Sequence, residues 1–140
     1  MVVKAFEIPI GLLICTALLN RLPKQSPYYS KVQNQKSAYY SGFYGEKTLQ
    51  YHLNFSQQNR FSVVNGLRLY HLGKAFQIDS LIMNPRFFLL VEVKNMDGII
   101  SIDPVTGQMT RVKDGREDVF KDPISQVGTQ SLLLQDWLME

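Results

Sequence analysis

The sequence predicts one α/β (α+β) domain with strands flanked by helices, and three observations carry this reading. Two apolar runs, Phe76–Met83 and Phe87–Val91, face each other across Asn84-Pro85-Arg86 and read as a buried hairpin. Ahead of them Tyr28, Val32, Tyr39, Phe43, Leu49 and Leu53 recur near helical spacing, and behind them Ile124, Val127, Leu134 and Leu138 do the same. The 140 residues, 45% hydrophobic, suffice for one core but not for two.

From the N-terminus, Ile8 to Leu19 is nearly all apolar and reads as a short helix stopped before Pro23. Twelve residues are too few for a membrane span of roughly 20. A signal peptide fits poorly, because Glu7 interrupts its start and Asn20-Arg21-Leu22-Pro23-Lys24 lacks a small-residue cleavage site. The expected location is the cytoplasm, with no membrane partner; a helix lying on a membrane surface is the minor alternative. Residues 1–24 are assigned to this N-terminal helix and 25–140 to the main domain. Ser26-Pro27 resembles a cap and first helical position, opening a long helix to about Phe55. Gly42 and Gly45 weaken its middle but let it approach a sheet closely. Its tyrosines suit helix–sheet packing with wet hydroxyls, or stacking on bases.

Ser56 to Arg60 reads as a polar loop and Phe61 to Tyr70 as a strand, with Asn65-Gly66 as a bulge or turn. After the central hairpin, Asn95-Met96-Asp97-Gly98 is a tight turn. Ile99–Ile102 and Gln108–Val112 form a second hairpin around Asp103–Gly107, followed by a charged turn from Lys113 to Asp118. Asp122-Pro123 caps a last helix, in which Trp137 is expected to anchor the core and Gln126 and Gln130 share a face.

The formal charge of +3, from 15 cations against 12 anions, permits a polyanionic partner without demanding one. The one cysteine, Cys15, excludes an internal disulfide and cysteine-rich zinc sites. It suits a small buried hydrophobe better than a nucleophile. His52 and His71 lack acidic or cysteine neighbours at ligand spacing.

The chemistry gathers in the central hairpin. Asp79, Glu92 and Lys94 are charges inside apolar strands, and buried charges are costly unless paired or metal-bound. If Pro85-Arg86 is a two-residue turn, Asn84 pairs with Phe87 and Asp79 falls opposite Glu92. Cross-strand Cβ atoms then lie roughly 5 Å apart. Two acids that close repel unless a cation lies between them, and a divalent ion with oxygen ligands resolves this. Glu92 and Lys94 share a face. The competing account is an ordinary ion pair of Lys94 with one carboxylate.

Asp79, twelve intervening residues and Glu92-Val93-Lys94 resemble the D…(D/E)-x-K signature of the PD-(D/E)xK nuclease superfamily. Gly45-Glu46, Gln77-Ile78-Asp79 and Val91-Glu-Val-Lys-Asn-Met-Asp-Gly98 resemble, more narrowly, the nuclease-related domain family, over about Gly42 to Gln130. Ile78 stands where the superfamily has a nominal proline. The resemblance implies a restriction-endonuclease-like core, a central mixed sheet flanked by helices in α-β-β-β-α order, with the last core strand missing, as in a fragment or truncated chain. It implies Asp79, Glu92 and Glu46 as ligands of Mg²⁺ or Mn²⁺, Lys94 as a catalytic residue, and Gln126 as a positioner of phosphate or water. Without it, Glu46 reads as a solvated helix glutamate and Gln126 equally well as an exposed glutamine. The implied partner is nucleic acid, DNA first, with a homodimer as one way to supply the missing strand. Two functions stay open: metal-dependent phosphodiester hydrolysis, and a non-catalytic nucleic-acid-binding or interaction module of nuclease-like fold. A purely structural α/β domain is the third reading.

Overall fold

The computed structural model describes residues 1–55 and 60–139. Its order is β1 (Val2–Lys4), α1 (Ile10–Leu19), α2 (Tyr29–Phe55), β2 (Ser62–His71), β3 (Lys74–Asn84), β4 (Phe87–Val91), β5 (Ile99–Ile102), β6 (Met109–Lys113), β7 (Arg116–Phe120) and α3 (Pro123–Leu138). The expected α-β-β-β-α succession is α2-β2-β3-β4-α3, with β5–β7 set in before α3. The loop expected at Ser56 to Arg60 lies, except for Arg60, outside the described residues.

The first sheet has the order β1-β2-β3-β4. It is mixed, because β1 runs parallel to β2 while the other pairs are antiparallel. The sequence reading missed β1; three residues carry no periodicity to detect. Leu72 and Gly73, with φ of 47° and 76°, make the two-residue turn between β2 and β3. At the next turn the Asn84 side chain accepts the N–H groups of Arg86 (2.7 Å) and Phe87 (3.0 Å). Asn84 pairs with Phe87, so the expected register holds. Gly66 has φ 57°, yet pairing keeps the same register on both sides of it, from Asn65↔Ser80 to Leu67↔Ile78. It therefore inserts no extra residue, contrary to the bulge or turn expected.

The second sheet, β5-β6-β7, is antiparallel. The charged turn expected from Lys113 to Asp118 is shorter. Asp114 and Gly115, both at positive φ, close a hairpin, and β7 starts at Arg116. Its charged first half hid the strand from a hydrophobic-pattern reading.

Ile78, Leu81 and Leu134 form the buried core under α3, with Leu67, Leu69, Phe76, Met83 and Leu90 packed around them. Three packing expectations fail. Trp137, in the last turn of α3, is 38% exposed rather than a core anchor. The buried residues of α3 are Gln130 and Leu134, while Ile124 and Leu138 face outward. Along α2, Tyr40, Tyr44 and Tyr51 are exposed instead of packed on a sheet. Cys15 and Leu12 are buried on α1, as a small hydrophobe and its neighbour should be. No described helix is long and apolar enough to cross a membrane.

Candidate active site

β3, the segment after β4 and the start of α3 bring Asp79, Glu92, Lys94 and Gln126 together, and α2 places Glu46 near them. On β3 the last ladder pair before the site is Ser80↔Val91, so the next step puts Asp79 opposite Glu92. Strand pairing ends at Val91, and Glu92-Val93-Lys94 continues without ladder bonds. The Val93 N–H is held instead by the Asp79 carboxylate at 3.0 Å. Glu92 and Lys94 emerge on one side, as alternation requires. Lys94 Nζ donates to Glu92 Oε1 at 2.7 Å, and the Glu92 side chain is only 4% exposed.

The helix α2 supplies Glu46. A side chain on Gly45 would meet Asn95 Cβ at 2.7 Å and Val93 at 3.1 Å, so only glycine permits this approach. Ser41 and Asn95 lock it reciprocally: Ser41 Oγ donates to the Asn95 carbonyl and Asn95 Nδ2 to the Ser41 carbonyl, each at 2.8 Å. Gly42, by contrast, has open space around it.

The cap of α3 forms as expected. Asp122 accepts from Ile124 N (3.1 Å), Ser125 N (2.9 Å) and Ser125 Oγ (2.7 Å). The Ser125 bonds, then the one from Ile124, hold its carboxyl below the ordinary range. This start aims two glutamines at Glu92. Gln126 Nε2 donates to Glu92 Oε1 at 2.7 Å, and Gln126 Oε1 accepts from Lys94 Nζ at 3.2 Å. Gln130 Nε2 donates to Glu92 Oε2 at 3.1 Å and to the Gln77 carbonyl at 2.8 Å. Gln130 is 6% exposed. Sequence reasoning noted its place one turn after Gln126 but did not assign it to the site. The available signal was that shared face: a glutamine one turn beyond a site glutamine is turned the same way.

The electrostatics are those of crowded acids. Burial first, then the charges of Asp79 and Glu92, push the Glu46 carboxyl up to about 7. Asp79 is also raised, chiefly by burial. The Val93 N–H opposes this, the Glu92 charge adds to it, Lys94 opposes it, and the hydrogen bond with Glu92 adds again. Among the described residues no three His, Cys, Asp or Glu side chains form a ready metal cage. Asp79 and Glu92 form an opposed pair of carboxylates, and Glu46 lies near enough for both of their charges to act on it. That set suits a hard divalent cation, which takes one or two carboxylates and keeps several waters. His52 and His71 take no part in it.

A groove of about 950 Å³ leads away from Lys94 between α2 and the second sheet. Arg111, Lys113 and Lys121 line it with Lys94, against the single acid Asp97. Arg111 is steadied by Asp118 at 2.6 Å and lies 5.1 Å over the Phe120 ring, and Lys113 pairs with Asp97.

The model of the family described as "Nuclease-related domain" matches residues 41–140, a span that takes in Glu46, Asp79, Glu92, Lys94 and α3. No curated protein and no solved structure matches significantly.

Proposed function

The chain belongs to the nuclease-related domain family, and from that premise we propose that it is a metal-dependent nuclease. Asp79 and Glu92 hold Mg²⁺ or Mn²⁺, with Glu46 assisting. The juxtaposition of these acids carries the reading: two of the three are lifted above their ordinary range by burial and by their acidic neighbours, a conflict that a cation relieves. When bound, the cation supplies Lewis acidity and activates water for attack on a phosphodiester. Lys94, held by Glu92 and Gln126, places a fixed positive charge where negative charge develops on phosphate. Gln126 orients that ammonium and offers its amide to a phosphate or water. The groove beyond Lys94 carries the nucleic-acid backbone past Arg111, Lys113 and Lys121. DNA is the expected substrate, and the cytoplasm fits it.

Two experiments test this. Titration calorimetry should show Mg²⁺ and Mn²⁺ binding to the wild type and loss in Glu92→Ala; unchanged binding in the variant places the cation elsewhere. Nicking of plasmid DNA should need the metal and vanish in Asp79→Ala and in Lys94→Ala. Activity intact in both removes the assignment. One observation favours a second reading, a nucleic-acid-binding module without catalysis. Both Glu92 oxygens are already satisfied, by Lys94, Gln126 and Gln130. That module would bind nucleic acid equally with and without Mg²⁺, and with or without those substitutions.

A further inference from the structure

The helix α1, Ile10-Gly-Leu-Leu-Ile-Cys-Thr-Ala-Leu-Leu19, contains no charged residue. A helix apolar on every side is normally buried on every side. Here α2 covers one side only, where Leu12 and Cys15 are buried and a side chain on Gly11 would run into the Tyr39 ring. Around the rest of the helix Ile10, Leu13, Ile14 and Leu18 are 74%, 55%, 53% and 42% exposed. Their spacing of i, i+3, i+4 and i+8 makes one continuous stripe, and Ile8, two residues before the helix, is 53% exposed as well.

Exposed Glu7 precedes the stripe, and the charge that follows it along the chain has one sign. Between Glu7 and Glu46 the sequence has no Asp or Glu, but it has Arg21, Lys24, Lys31 and Lys36. Arg21, Lys24 and Lys31 are exposed. Arg21 Nη1 donates to the Ala17 carbonyl at 3.0 Å, which keeps the guanidinium at the end of α1. Tyr28 stands 65% exposed in the same connection, an amphipathic ring suited to an apolar–polar boundary.

We propose that this face of α1, with the basic connection after it, docks the protein on an anionic lipid surface. At 1.5 Å per residue α1 is about 15 Å long, half the hydrocarbon thickness, so it lies along the surface instead of crossing. The apolar stripe enters the interfacial layer, and the cations meet lipid phosphates. A second copy is a poor occupant, because two such faces would bring the same cations together.

The test is co-flotation of the whole chain with vesicles of phosphatidylcholine, with and without about one third phosphatidylglycerol. The wild type should float with the anionic vesicles, far less with the neutral ones, and less as salt rises. Ile10→Ser/Leu13→Ser/Ile14→Ser should lose about a hundredfold in vesicle affinity, since each side chain forfeits an exposed half of its burial. Arg21→Gln/Lys24→Gln/Lys31→Gln should lose about fivefold per cation, and its substituted side chains are all exposed, so folding is retained if the serine variant fails. Equal binding to both vesicle types, or undiminished binding by the glutamine variant, overturns the proposal. So does a wild type that ignores vesicles and runs as a dimer split by the serine substitutions, or that is captured instead by an acidic protein.

Discussion

Replacing Glu46 by Gln removes one of three crowded acids while keeping the shape of the side chain. A rise from 4.5 to about 7 has a ceiling of about 3.4 kcal/mol. Glu46 is half-buried, and solvent screening lowers the expected effect to about 1–2 kcal/mol. The sign follows from proton counting. Below about pH 4.5 both folded and unfolded chains hold the proton, and Glu46 costs nothing. From there to about pH 7 the folded chain binds more protons than the unfolded one, so stability falls as pH rises. Above about pH 7 the loss is complete. Asp79, raised as well, acts in the same direction. Urea unfolding without divalent cations should therefore find Glu46→Gln more stable than the wild type at about pH 8 and equal to it at about pH 4. An equal difference at both pH values, or a less stable variant at the higher one, refutes the crowding of these acids.

The same unfolding assay carries the cation. Mg²⁺ at 100 times its dissociation constant should add about 2.7 kcal/mol at about pH 8, chelation should remove it, and Asp79→Ala should not respond. Gly45→Ala should destabilise by about 1 kcal/mol net, the clash with Asn95 outweighing the helix-propensity gain. Gly42→Ala, with nothing near its new methyl group, should gain up to about 1 kcal/mol; the reverse order would mean that α2 does not rest on the Glu92–Asn95 segment. Gln130→Ala strands Glu92 Oε2 and the Gln77 carbonyl and should cost about 1–3 kcal/mol. It should also weaken Mg²⁺ binding about 10- to 100-fold in calorimetry, a loss that a purely packing role would not produce.

The α2-β2-β3-β4-α3 succession and the central register were legible because each has a local cause. Pro85-Arg86 makes a two-residue turn between Asn84 and Phe87, and pleat alternation then places Asp79 across from Glu92 with no need for the rest of the fold. The Asp122-Pro123 start of α3 was legible for the same reason: a cap is a contact between near neighbours. What escaped depended on distant partners. β1 exists because β2 offers an edge, and β7 because Asp114-Gly115 folds charged residues back onto β6. The inward face of α3 is mixed where an apolar stripe was expected: Leu134 enters the core, while Gln126 and Gln130 meet Glu92. The exposed tyrosines of α2 and Trp137 reflect where neighbouring elements stop, which periodicity does not record.

The sequence by itself determined the chemistry available, acids and a lysine spaced for one strand pair, and that is a matter of turns and alternation. Only the tertiary structure decided how closely α2 approaches the Glu92–Asn95 segment, through the gap left by Gly45, and that Gln126 and Gln130 both close on Glu92. Those are meetings of segments far apart in the chain, and they arise from packing and from the need of buried polar groups for partners.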